Sequence, residues 1–109
     1  MSTLKVHGRC VNQGNCSTVE ASRCVGDFWN LWIIRVLLSG HKRFSQMHEE
    51  IPTINKATLV TKLKALIDLQ IVAKSLDEDL KPFYHLTPKG QDLKPVLDAL
   101  EEYGKVHFS

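Results

Sequence analysis

Apolar positions recur at helical spacing in three stretches of the chain, and the three differ in kind. From Phe28 to about Ser39, the residues Trp29, Leu31, Trp32, Ile33, Ile34, Val36, Leu37 and Leu38 cover nearly a whole helical circumference. Such a helix is buried on most sides. From Asn55 to about Leu69, at about 100° per residue, Leu59, Leu63, Leu66 and Ile67 fall on one side. Ala57, Thr61, Lys64, Ala65 and Asp68 fall on the other, with Thr58 flanking. The third stripe, Leu93, Val96, Leu97, Leu100 and Tyr103, lies near the C-terminus. Between the second and third, Ile71–Ser75 and Pro82–Leu86 have the length and residue types of two strands of a hairpin, with Asp77-Glu78-Asp79 near its tip.

Polar and conformationally special residues punctuate this pattern. Ser17-Thr18-Val19-Glu20 fits a capping box, so a helix is expected from there to about Val25. Gly26-Asp27 reads as a break, and Gly40 stands where a glycine closes the Phe28 helix. Ser45 is expected to cap a short helix over Gln46–Glu50, with Phe44 before it as a staple, and Pro52-Thr53 to close it. Asn55 caps the long helix. Thr87 caps the last one with Pro88 at its first position, and that helix is expected to run past Pro95 with a bend there.

These elements predict a mainly α domain with a small β-hairpin, an α+β arrangement of the winged helix-turn-helix kind. The outward side of the Asn55 helix begins with small residues, which lets its backbone approach base edges in a major groove. Lys56, Lys62 and Lys64 come before any acid appears at Asp68. Phosphate contacts supply affinity and groove contacts supply selectivity. The expected DNA-binding set is therefore Asn55, Lys56, Ala57, Thr58, Thr61, Lys62 and Lys64. Lys42 and Arg43, ahead of the short helix, and Lys74 and Lys81 on the hairpin, join it as phosphate candidates. Arg43 has a second reading, as support for the fold through an acidic partner. The C-terminal stripe has little domain left to cover it. It either folds back on the helix of Trp29 and Trp32 or pairs with the same helix of a second subunit. A palindromic double-stranded operator asks for a two-fold protein, so Leu93, Val96, Leu97, Leu100 and Tyr103 are the expected dimer contacts.

Composition narrows the picture without changing it. A chain of 109 residues with 43% apolar content is one ordinary folded domain. Residues 1–15 read as a flexible arm and 16–109 as the domain. The net charge of +2 permits nucleic-acid binding without requiring it. The Phe28–Leu38 run is too short for a membrane span and no signal segment opens the chain, so a cytoplasmic location is expected. Cys10, Cys16 and Cys24 contain no C-x2-C pair, and free thiols are favoured over a Cys/His metal cluster with His7. His7, His41, His48, His85 and His107 form no metal or catalytic spacing, and neither a nucleophile elbow nor a phosphate loop occurs. No enzyme activity, cofactor or metal is expected. A winged-helix protein-interaction module that has lost DNA binding is the alternative, suggested by the acidic hairpin tip.

Taken together, these residues resemble the HxlR-type branch of winged-helix transcription regulators, related to MarR. The resemblance spans about residues 16–104. It rests on Cys16, Gly26-Asp27-Phe28-Trp29, Leu37-Leu38-Ser39-Gly40, Arg43-Phe44-Ser45, Ile54, Leu59, Leu63-Lys64-Ala65-Leu66 and Tyr84-His85-Leu86-Thr87-Pro88-Lys89-Gly90. It implies a homodimeric DNA-binding regulator with two recognition helices and two wings. It also implies that Cys16 is a thiol sensor, against the plainer reading of a half-buried cysteine at a dimer contact. Just before a helix N-terminus the dipole lowers a thiol pKa, which fits the sensor role. Four departures stand out. The family's Cys-Pro is Cys16-Ser17 here, its Gly-Gly-Lys-Trp is Gly26-Asp27-Phe28-Trp29, Gln70 replaces a glycine before the first wing strand, and the wing is short with an acidic tip.

Overall fold

The computed structural model describes residues 17–108; the N-terminal arm with Cys10 and Cys16, and the side chains of Ser17 and Cys24, lie outside the described residues. Helix α1 spans Ser17–Val25. Helix α2 follows as Phe28–Leu38, and its N-cap is Asp27, whose carboxylate accepts the amides of Trp29 at 2.8 Å and Asn30 at 3.1 Å. The pair expected to be only a break is thus a break and a cap together. Ser39 closes α2, and Gly40 follows at φ 141°, a conformation open to glycine and strained for other residues.

Helix α3 spans Phe44–Glu50 and begins two residues earlier than expected, with Arg43 rather than Ser45 at the N-cap. The reason is Gln46. A residue three beyond the cap can reach back, and the Gln46 side chain accepts the Arg43 amide at 2.8 Å. Counted from Ser45, that position is His48. Helix α4 spans Lys56–Asp68, and Asn55 caps it by accepting the Thr58 amide at 2.8 Å. Leu69 ends α4 and Gln70 sits in the left-handed region at φ 64°. The bonds from Gln70 N to Ile67 O and from Ile71 N to Leu66 O, each 2.9 Å, form a Schellman closure.

Strands β1, Val72–Leu76, and β2, Pro82–Leu86, pair antiparallel with Val72 opposite Leu86 and Leu76 opposite Pro82. A single bridge adds Lys42 beside Tyr84, so the segment before α3 runs as a short third edge on the hairpin. Helix α5 is only Pro88–Gln91, capped by Thr87, and α6 spans Lys94–Phe108. The single bent helix expected over this stretch is two helices instead. Proline lacks an amide and clashes with the preceding turn, so the chain restarts and Pro95 occupies the second position of α6.

The core collects Ile33, Ile34 and Leu37 of α2, Met47 of α3, Ile51 and Ile54 of the turn, and Leu59, Leu63 and Leu66 of α4. Ile71, Val72 and Leu86 bring in the hairpin, and Leu97 brings in α6. Each such side chain contributes about 1.5–3 kcal/mol by leaving water. Trp29 and Trp32 are partly buried against this core. The leucine stripe of α4 is therefore committed inward, and its opposite face is exposed.

Candidate nucleic-acid interface

The α4 side chains opposite the leucine stripe are exposed: Ala57, Thr61, Lys64, Ala65 and Asp68, with Thr58 half-buried at the edge. Thr61 returns its hydroxyl to the Ala57 carbonyl at 3.0 Å, a bond that leaves the hydroxyl's acceptor lone pairs facing out. Lys56 and Lys64 are exposed and make no ion pair among the described residues. One end of this helix thus presents small polar groups flanked by uncommitted cations.

Lys62 is placed differently. Its ammonium pairs with Asp27 at 2.5 Å, and it lies beside the buried stripe instead of on the outward face. The Asp27 carboxyl is held below its ordinary value, first by this bond and then by its backbone amide donors, with burial acting against them. One aspartate therefore caps α2 and ties it to α4. Lys42 pairs with Glu50 at 3.1 Å.

Arg43 is the most engaged of the expected phosphate ligands. Its Nη1 donates to the carbonyls of Lys81 at 3.1 Å and Pro82 at 3.0 Å, and its Nη2 pairs with Asp77. The second reading of Arg43, an acid-supported structural residue, describes these contacts. Asp77 in turn accepts the amides of Asp79 at 2.8 Å and Lys81 at 2.9 Å. The Lys81 amide, then the Arg43 guanidinium, hold its carboxyl below the ordinary range. One of the three acids that made the tip look repulsive is thus neutralised within the chain. Lys74 and Lys81 are exposed on the hairpin without ion pairs among the described residues, and Lys74 stands 6.0 Å from the Tyr84 ring centroid.

Of the C-terminal stripe, Leu97 is 5% exposed and Leu93 partly buried on the core, so α6 does fold back on its own chain. Val96, Leu100 and Tyr103 remain exposed, as do Val106 and Phe108 at 66% and 81% exposure. Neither of the last two is in the expected stripe: Val106 follows Tyr103 at the helical spacing of three, whereas Phe108, five residues on, lies about 140° round the helix, its ring 6.2 Å from that of Tyr103 between centroids. The Asp27–Lys62 and Arg43–Asp77 pairs were missed as specific contacts because each joins residues more than thirty apart. No group of three or more His, Cys, Asp or Glu residues suited to a metal occurs among the described residues. No helix among them is long and apolar enough to cross a membrane.

Residues 24–109 match the HxlR-like helix-turn-helix family. The HTH-type transcriptional regulator YodB of Bacillus subtilis is 34% identical over 91 residues, covering 81% of this chain and 81% of that protein. The solved reduced form of YodB superposes with a TM-score of 0.75 at 32% identity, covering 87% of this chain and 96% of the other. The redox regulator HypR in its reduced form superposes with a TM-score of 0.75 at 27% identity, covering 83% and 92%.

Proposed function

The chain belongs to the HxlR-like helix-turn-helix family and is a transcriptional regulator, not an enzyme, and we propose that it binds a palindromic operator as a homodimer with α4 in the major groove. The observation that carries this reading is the exposed face of α4, where Ala57, Thr58 and Thr61 lie between Lys56 and Lys64, whose ammonium groups make no ion pair among the described residues. In this arrangement the small residues meet base edges and the lysines meet phosphate. Lys74 and Lys81 extend the phosphate contact along the wing. Lys42, Arg43, Asn55 and Lys62 hold the frame that presents them. The dimer forms through Val96, Leu100 and Tyr103, continued by Val106 and Phe108. A DNA partner places the protein in the cytoplasm.

Regulation runs through Cys16 in this proposal. YodB has been solved reduced, quinone-bound and diamide-treated, and HypR is a redox regulator, which supports a redox-responsive reading of this chain. The test is a titration of a fluorescent duplex from the protein's own upstream region against a scrambled duplex, with reductant and then with diamide. Selective binding is expected, with a salt slope of about 0.9 per phosphate neutralised. Diamide is expected to change that binding in the wild type and to leave Cys16→Ser unaffected. Equal binding to both duplexes, or none to either, would refute the operator reading and turn attention to the protein-interaction module.

A further inference from the structure

We propose that Arg43 is a positioning residue for the wing: its guanidinium, bound to Asp77 and to the carbonyls of Lys81 and Pro82, sets where the hairpin tip stands relative to α4. This rests on the reading of the protein as a DNA binder. The hairpin has two strands and packs on the core through Val72, Leu86 and the partly buried Tyr84, and two-stranded ribbons are marginal alone. It gains two attachments near α3. The first is backbone pairing, with Lys42 N to Tyr84 O at 2.9 Å and Tyr84 N to Lys42 O at 2.7 Å. The second is the Arg43 fork, which reaches past the bridge to the tip itself.

The tip is built around the other partner of that fork. Leu80 lies at φ 63°, and the loop closes with Asp77 N to Lys81 O and Leu80 N to Asp77 O, both 2.9 Å. The Asp77 carboxylate accepts two loop amides on one oxygen and faces Arg43 with the other. A planar guanidinium with fixed donors is suited to engage a carboxylate and two carbonyls together, and an ammonium is not. Loop shape and loop placement are therefore linked through one aspartate. Lys74 on β1 and Lys81 in the loop just before β2 are placed with the hairpin, while Asp77 is turned to Arg43.

This makes a prediction opposite in sign to simple electrostatics. If Arg43 were itself a phosphate ligand, Asp77→Asn would free it and remove an acid from the interface, and DNA would bind more tightly. With Arg43 as positioner, Asp77→Asn releases the tip, and affinity falls on the order of tenfold, the weight of one or two lost phosphate contacts. Glu78→Gln is the comparison. It removes the same charge from the same loop, where Glu78 has no ion pair among the described residues, and it should tighten binding. Opposite responses of the two variants support the inference, and a shared increase overturns it.

Should Asp77→Asn fail to fold, Arg43→Lys decides. It keeps the charge and loses the fork, so affinity drops if Arg43 positions the wing and holds if it merely meets phosphate. Amide exchange at Asp79 and Lys81, measured without DNA, must quicken in Arg43→Lys. Unchanged exchange would sink the positioning role. Quickened exchange in a protein that binds no duplex would uphold the positioning role and sink the functional reading.

Discussion

Gln70 adopts φ 64° in a Schellman closure, a place where the chain would be relaxed with glycine. A side chain in this region costs about 1–2 kcal/mol, and glycine gives back roughly half of that through its freer unfolded chain. Gln70→Gly should therefore stabilise the domain by up to about 1 kcal/mol, read as a higher urea midpoint with unchanged slope. Gly90 is the reverse case. A Cβ there would run into the Ile71 backbone carbonyl oxygen, which cannot give way cheaply, and would press on the Leu86 Cδ2 methyl. Gly90→Ala should cost about 1–3 kcal/mol by overpacking, measured the same way. Both positions were legible before any coordinates, one as a departure from an expected glycine and the other as the end of the Thr87-Pro88-Lys89-Gly90 run. Their physical reasons were not legible, because a close backbone approach leaves no trace in local spacing.

Among the elements, α4 was readable because its leucines repeat with the helical period, and the hairpin because its two runs flank a polar tip. The joints between elements were not readable. Asp27 is the clearest example, acting as cap on α2 and as anchor for Lys62 on α4. Its carboxyl is held below its ordinary value of 3.8, chiefly by Lys62. A lowered folded pKa means a contribution that is complete above the unfolded value and lost as pH falls through the folded one. Asparagine caps helices about as well as aspartate but cannot form the ion pair. Asp27→Asn should therefore be less stable than wild type at pH 7, with the difference shrinking as the pH is taken below 3.8 and toward the lowered value. Urea midpoints at pH 7 and pH 3 would check this, and a constant gap would show that the pair contributes nothing. On the outward side of α4, Thr61→Val should alter sequence preference at one base step. Lys64→Gln should weaken binding to all duplexes and reduce the salt slope by about 1, both measured by fluorescence titration across salt concentrations.

At the scale of the whole molecule, the radius of gyration is 15.7 Å and the extents are 51 × 33 × 24 Å. A compact domain of this size would have a radius near 13 Å, so the chain is elongated. Helix α6 packs on the core only in part. Its Leu97 is buried and its Arg35–Glu101 contact to α2 is 3.0 Å, but that pair is exposed and worth little. Beyond Leu97 the apolar residues of α6 meet too few neighbours to be covered. An open groove lined by Leu31, Trp32, Leu97 and Leu100 runs along the same side, and a second lined by Pro95, Val96, Leu100 and Tyr103 adjoins it. A contiguous exposed apolar face of this kind marks an association surface. On an isologous interface each substitution appears twice, so one charge placed at Leu100 puts two like charges near the axis. Leu100→Glu should convert the proposed dimer to monomer at micromolar concentration in light scattering. Because Leu100 is 47% exposed in the monomer, the domain itself should keep its fold, seen as unchanged far-ultraviolet circular dichroism. The monomer should then bind a palindromic operator no better than a half-site, since linking two α4 helices is what multiplies their separate affinities. If Leu100→Glu stays dimeric and still prefers the full palindrome, the subunits must associate through a different face.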